Sequence, residues 1–325
     1  MTFLTRRHTL ALGGGSLLLP SFARAQAAWP AGPVTFVVGY TAGGSTDINA
    51  RELGQVMTPV IGQQIIIDNK GGAAGSIGLH SVAAAKPDGQ TLFVAVGTNV
   101  IINPHVQKGM IDTLAALAPI CQVTDYQYVL VVGKDVPAKN AAELVAMAKK
   151  DPDKLTYSSS GVGGNNHLAG ALFAEAAGVK MTHVPYKGTG QAVADVISGQ
   201  ITMNFSSLPP AVSQIKGGNL KALAVTGNKR VKSLPDVPTL KEQGIDVVVT
   251  SWQGLFAPAK TADAILDKIE KATKEGMKDP KWEAALARDG LELPPERTRA
   301  EFTKFVADEH AFWGKKLKEL KIEME

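Results

Sequence analysis

Val34-Thr35-Phe36-Val37-Val38-Gly39-Tyr40-Thr41-Ala42-Gly43-Gly44-Ser45-Thr46-Asp47 decides the fold of this chain. Its first five residues are a β-branched and aromatic run behind Pro33, the pattern of a buried strand. A glycine-rich turn follows. Helical spacing then begins, with Ile48, Leu53, Val56, Met57 and Val60 on one face and Gly62 as the stop. Strand, glycine turn, helix is the opening of a β-α-β unit. The chain repeats it: Ile65-Ile66-Ile67 is a second strand, Ile77 to Ala85 a second helix, and Thr91 to Val96 a third strand. This alternation predicts a parallel sheet with crossover helices.

Further along, Ile120 to Val123 and Tyr128 to Val132 read as strands. A second alternation then runs from the helix Ala141–Lys149 to the strand Lys221–Val225, through strands near Thr156-Tyr157, Thr182–Val184 and Ile201–Phe205. Val247 to Thr250 reads as a last strand, followed by helices near 262–277, 281–288 and 299–320. The helical tail has no sheet of its own and is expected to return to the first unit. The expectation is an α/β, two-lobe fold, each lobe a mainly parallel sheet flanked by helices. Residues 26–124 and 249–325 would form lobe 1 and 125–248 lobe 2, with strands near 123 and 248 as the hinge.

The N-terminus is different in kind. Arg6 and Arg7 precede an apolar run from Leu10 to Leu19, and Ala23-Arg24-Ala25 ends it. This is a secretory signal of residues 1–25, with a twin-arginine look, cleaved after Ala25. The run is too short to span a bilayer. The full chain holds 34 Lys and Arg against 30 Asp and Glu, and three of the basic residues leave with the signal. The mature net charge is then 31 minus 30, or +1, which argues against a general nucleic-acid or membrane-surface role. Cys121 is the only cysteine, so neither an intrachain disulfide nor a cysteine metal cluster can form. The sequence calls for no metal and no cofactor.

Function is read from the loops at the carboxyl ends of the strands, where parallel α/β sheets bind ligands. In Tyr40, Ala42, Gly43, Gly44, Ser45, Thr46 and Asp47, glycines permit close approach of a ligand to the backbone. The helix start behind them presents unpaired N–H groups and about half a positive charge. Taken alone, the loop reads equally well as a strand-to-helix turn with a Ser or Thr cap. It is neither a Walker A loop nor a G-x-G-x-x-G fingerprint. Asp47 would repel an anion, and reads as a first-turn residue or an anchor for loop N–H groups. A second such loop carries Ser160, Gly161, Gly163, Gly164, Asn165, Asn166 and His167. Two helix starts facing one cleft give about one unit of positive field, matched to one carboxylate. His167 reads as a helix-start histidine bonded to backbone, with a general base as the alternative. Thr98, Asn99, Ser206 and Ser207 fall at equivalent strand ends. Tyr186 suits a cleft wall, and Trp252 reads equally as core or cleft lining.

At these loops the chain is similar to the tripartite tricarboxylate transporter receptors, the kind called Bordetella uptake gene proteins. The matching segments are Val37 to Arg51, Asn69 to Gly75, Lys86 to Leu92, Ser160 to Leu168 and His183 to Gly188. Ser198-Gly199-Gln200, Asp236 to Thr239 with Glu242 and Gly244, and Trp252 to Leu255 complete the set, in family order across nearly all of the mature chain. The resemblance implies a monomeric periplasmic receptor that closes on its ligand and delivers it to a permease of one large and one small membrane subunit. It implies that Gly43, Gly44, Ser45, Asp47, Gly161, Gly163 and Gly164 hold the ligand's proximal carboxylate through backbone groups and bridging waters. Family ligands include di- and tricarboxylates, amino acids, nicotinate and aromatic dicarboxylates. Tyr40 stands where many relatives have phenylalanine, and Asn165-Asn166 where small or hydroxyl residues are frequent. Two other readings stay open: a periplasmic sensor that presents its bound carboxylate to a signalling partner, and a serine hydrolase using Ser45 or Ser160 with His167.

Overall fold

The computed structural model describes residues 29–152 and 154–319. The expected export signal lies outside them. Strands β1 (Val34–Val38), β2 (Ile65–Asn69) and β3 (Thr91–Val96) pair in parallel in the order β2-β1-β3. Helices Ser45–Ile61 and Ser76–Ala83 make the crossovers. The runs of β1 and β3 are buried on both sides, and Phe36 and Phe93 are wholly enclosed, as expected of strands covered on two faces, whereas β2 at the sheet edge leaves Ile66 exposed.

The two strands expected near 120–123 and 128–132 are one strand, β4 (Leu117–Gly133). Thr124-Asp125 breaks the apolar run but not the ladder. Register shifts between Pro119 and Cys121 and between Gln122 and Thr124 absorb the irregularity, and Asp125 exchanges backbone hydrogen bonds with Glu292. The first half of β4 pairs antiparallel with β9 (Thr250–Pro258) as far as Gln127, and β9 pairs with β3. From Tyr128 onward β4 pairs instead with β7 (Met203–Ser207) and β8 (Leu220–Val225). Strands β5 (Thr156–Ser159) and β6 (Thr182–Pro185) extend that second sheet in parallel beyond β7. One continuous strand therefore belongs to both sheets, and the exchange falls between Gln127 and Tyr128.

The return path is less regular. Residues 245–249 have no ladder. Val249 donates to the Thr226 carbonyl, and Thr226 donates to Tyr128. The strand expected at Val247–Thr250 is displaced to Thr250–Pro258, because the valines pack into the core from extended backbone rather than from a sheet.

The tail forms helices Asp263–Gly276, Pro280–Asp289 and Arg299–Glu319. Gly276 lies against Val56 and Met57 of the first helix, and a Cβ there would meet Met57 at 3.1 Å. Phe302 packs edge-on against Trp252, 5.6 Å between ring centroids. No helix among the described residues is long and apolar enough to cross a membrane. Among the same residues no group of three or more His, Cys, Asp or Glu is placed to hold a metal ion.

Candidate functional site

The carboxyl ends of β1, β3, β5 and β7 face one narrow cavity between the lobes, about 20 Å³ in volume. Tyr40, Gly44, Ser45, Thr46, Val96 and Thr98 line it from the first lobe. Ser160, Asn165, Asn166, Thr189 and Ser207 line it from the second, and Tyr126 and Tyr128 come from the shared strand β4. No charged side chain is among them. Three helices begin here: Ser45–Ile61, Asn165–Ala177 and Thr189–Ile197. Each is headed by a glycine, Gly44, Gly164 and Gly188, and none has a side-chain cap. The orphan N–H groups of a helix start normally find a capping oxygen. Here they are left for whatever enters the cavity, and three helix dipoles place roughly 1.5 units of positive charge around it. The starts are close together: a Cβ on Gly44 would lie 3.8 Å from the Thr189 backbone nitrogen.

The loops are fixed from behind. Asp47 faces away from the cavity. Its carboxylate accepts from the Gly43 N–H at 2.9 Å and pairs with Arg51 at 2.8 Å. Burial works to raise its pKa, but the Arg51 and Gly43 hydrogen bonds outweigh it and the group titrates below its ordinary value. The anchor role weighed for Asp47 is the one the fold gives it. Asn99 is also a support. It holds the Tyr40 hydroxyl at 2.8 Å and the Ala74 carbonyl at 2.7 Å, and accepts from the Val96 N–H. Tyr40 and Asn103 bond the same Ala74 carbonyl. Three donors on one carbonyl hold Ala73 and Ala74 at φ 46° and 48°, a left-handed conformation that alanine avoids. That loop is where Gly161 of the other lobe arrives in tight contact: a Cβ would sit 3.2 Å from three Ala74 atoms.

In the second loop Asn166 accepts from the N–H and hydroxyl of Ser160. His167 accepts from the Gly163 N–H at 3.3 Å and stacks on His183, 3.9 Å between centroids. Burial pushes the His167 imidazole down to about 4. Burial and the neighbouring His167 push His183 down to about 3. His167 therefore bonds to backbone, and the Ser160 hydroxyl donates its hydrogen bond to Asn166. The Ser160–His167 pairing weighed in the sequence is not the one the fold makes.

Other residues named from sequence lie off the cavity. Ala42, Gly43, Gly161, Gly163 and Gly164 shape the loops but are not in its wall. The Ser206 hydroxyl donates to the Ser207 carbonyl at 2.8 Å and is fully buried, so the alternation of β7 turns Ser207, not Ser206, to the cavity. Tyr186 lines a separate cleft with Ala74, Gly161 and Lys187 and donates to Asp195. Trp252 packs among Phe256, Phe302 and Phe305 and borders a second cavity of about 510 Å³ beside the point where β4 changes sheets. Tyr126, Tyr128, Val96 and Thr189 are wall residues that the sequence reading did not single out. The two tyrosines are placed by period-2 alternation along β4, a signal usable only once β4 is known to cross between sheets.

The lobes touch around the cavity. Asn165 donates to Ser251 at 2.7 Å, Gln107 to the Val162 carbonyl at 3.2 Å, and the Thr41 N–H to the Lys187 carbonyl at 3.4 Å.

Comparison with known proteins agrees with this fold. Residues 49–322 match the family described as the tripartite tricarboxylate transporter family receptor. The periplasmic binding protein BugD superposes with a TM-score of 0.87 at 34% identity, covering 91% of this chain and 99% of that one. An adipate-bound protein of Rhodopseudomonas palustris gives 0.86 at 30% identity, with 91% and 99% covered. MatC of the same organism, with bound malate, gives 0.84 at 28%, with 88% and 99% covered. A family match over most of the chain, and solved relatives that share both lobes, place this protein in the tripartite tricarboxylate transporter receptor family.

Proposed function

We propose that this protein is exported to the periplasm, captures a small organic carboxylate in the cavity between its lobes, and delivers it to a tripartite tricarboxylate-type permease. The observation that carries the reading is the convergence of three uncapped, glycine-headed helix starts from two lobes on a cavity with no charged wall. A carboxylate there receives backbone N–H groups and helix dipoles without an arginine. Malate and adipate in two solved relatives support the ligand class.

Lobe 1 is taken as residues 26–124 with 249–325 and lobe 2 as 125–248. The ligand enters with the lobes apart and is wrapped as they approach. Its contacts to both lobes are what favour closure. Gly44, Ser45, Thr46, Ser160, Asn165, Asn166 and Thr189 touch it. Asp47, Asn99, Gly161 and Gly163 hold the loops that do. Binding and release require no bond-making by Ser45, Ser160 or His167.

A thermal-shift screen of organic acids, each beside its methyl ester and amide, tests this. The matching acid raises the melting temperature, because a ligand that binds only the folded state stabilises it, and the ester and amide do not. Equal shifts from acid and ester refute carboxylate recognition.

A further inference from the structure

The cavity beside the point where β4 changes sheets is unlike the ligand cavity in size and in chemistry. It holds about 510 Å³, within the range of small-molecule sites, against about 20 Å³ for the other. Tyr126 and Asn165 stand between the two and border both. The ligand cavity has no charged wall. The larger one is edged by Asp125, Glu309 and Arg297, all half-buried, and by the aromatic side chains of Trp252, Phe305 and Trp313. Lys229 and Glu292 also reach it, but they pair with each other at 3.0 Å.

Trp252 is 5% exposed, and its Nε1 has no hydrogen-bond partner in the fold. A buried indole N–H normally has one. Its pyrrole edge lies at Gly97, itself a wall residue, where a Cβ would fall 2.9 Å from Nε1. A side chain at that position would cover the N–H.

The charged groups are met by neutral partners. Arg297 donates to the Gln122 side chain and lies over the Phe305 ring, 4.2 Å from its centroid. Asp125 accepts from the same Gln122, and Glu309 is hydrogen-bonded to Trp313. Burial raises the pKa of both carboxyls, Asp125 to about 6, and the charge of Arg297 offsets part of the rise through space. Among the described residues none of the three is in an ion pair. A carboxylate and a guanidinium each have capacity beyond one bond. One cation, two anions and an orphan N–H donor therefore border a single space. An organic acid there would answer Arg297 and the indole but face two carboxylates. An amine would answer the carboxylates and leave the indole N–H unpaired. A zwitterion answers all four.

We propose that this cavity is a second binding site, separate from the carboxylate cavity, and that it takes an α-amino acid with an aromatic side chain. The carboxylate of the amino acid meets Arg297 and the Trp252 N–H. Its ammonium meets Asp125 and Glu309, and its ring packs among Trp252, Phe305 and Trp313.

The test is titration calorimetry on the mature protein with phenylalanine, tyrosine and tryptophan. Each is run beside the amine and the acid that lack one of its charges, phenethylamine and hydrocinnamate in the case of phenylalanine. Wild type binds at least one of the amino acids, and binds it at least about tenfold more tightly than either half, the weight of a hydrogen bond to a charged group. Arg297→Met, which keeps the stem over Phe305, and Asp125→Asn each weaken it by about the same factor. Trp252→Phe, which removes the N–H and keeps a ring, weakens it as well. Arg297→Met still binds the organic acid selected by the thermal-shift screen as wild type does, and protein saturated with that acid still takes up the amino acid. Three results overturn the second site: no amino acid binds, affinity is undiminished in both Arg297→Met and Asp125→Asn, or the organic acid displaces the amino acid. None of them touches carboxylate capture, which fails on its own terms if no organic acid raises the melting temperature.

Discussion

Gly188→Ala isolates lobe closure from folding. Gly188 has φ 171°, extended backbone open to any residue, so alanine introduces no backbone strain. Within its own lobe the new methyl is harmless. Across the cleft it is not: a Cβ there falls 2.4 Å from the Thr41 hydroxyl, 3.6 Å from the Thr41 Cβ and 3.3 Å from the Thr41 backbone nitrogen. The same Thr41 N–H donates to the Lys187 carbonyl at 3.4 Å, so relief by shifting Thr41 also disturbs that contact. Overpacking of this kind costs about 1–3 kcal/mol. The cost falls on the closed state alone, and closure is coupled to binding. The dissociation constant for the bound organic acid therefore rises between about fivefold and about 150-fold. Calorimetry reads the affinity, and melting of the ligand-free variant stays at the wild-type temperature. Adding Thr41→Ala removes the hydroxyl that the methyl strikes and restores most of the affinity. Wild-type affinity in Gly188→Ala, or no recovery in the double variant, refutes the claim that these two loops meet when ligand is held.

Two pH effects of opposite sign are expected. His167 and His183 have folded pKa values of about 4 and about 3, below the ordinary histidine value, so the unfolded chain takes up protons first as pH falls. Their contribution is full above about pH 6.5 and is lost from there down toward pH 3. His183→Gln should make the fall of melting temperature below pH 6 shallower, and an unchanged slope counts against the buried neutral pair. Asp125 runs the other way. Burial, aided by Glu292 and opposed by Arg297 and Gln122, raises its pKa to about 6, so the folded state keeps a proton that the unfolded state has released. Its contribution falls as pH rises from about 4 to about 6. Asp125→Asn should melt higher than wild type at pH 7.5, with the gain shrinking toward pH 4. A gain independent of pH refutes that assignment.

How far the fold is legible in the sequence depends on the range of the interaction that decides each part. Val34–Val38 and Thr91–Val96 announce themselves as buried strands because burial on both faces demands continuous apolar runs. Gly62 and Gly178 end their helices with φ 65° and 62°, conformations that glycine adopts freely. The glycine-rich loops mark the site for the same local reason. Long-range pairing is not written locally. Thr124-Asp125 looks like a strand boundary until β9 is known to carry the ladder through it. Tyr126 and Tyr128 become wall residues only because β4 changes sheets between Gln127 and Tyr128. Ser206 and Ser207 are the same residue type at the same strand end, and only the alternation of β7 separates them. Trp252 reads equally as core or cleft until Phe302 and Phe305, fifty residues on, close over it.

The capping pattern joins stability to function. Of the four described helices of ten or more residues remote from the cavity, three are capped by side chains. Asn140 accepts from Glu143, Asp279 from Lys281, and Thr298 from Glu301. Only the one headed by Ala262 lacks a cap. At the cavity the pattern inverts, with Gly44, Gly164 and Gly188 heading three helices. Glycine gives up only a few tenths of a kcal/mol against serine or aspartate as an N-cap, so the three together forgo about 1 kcal/mol. The return is geometric, because an amide bonded to its own capping side chain cannot also bond a ligand. Ser207 reaches the same end by another route. It keeps the capping side chain at the head of the helix Leu208–Lys216, and Pro209 and Pro210 behind it have no amide N–H to engage it. Both devices leave polar groups at the cavity unanswered by the protein itself. A fold selected for stability alone would have satisfied them.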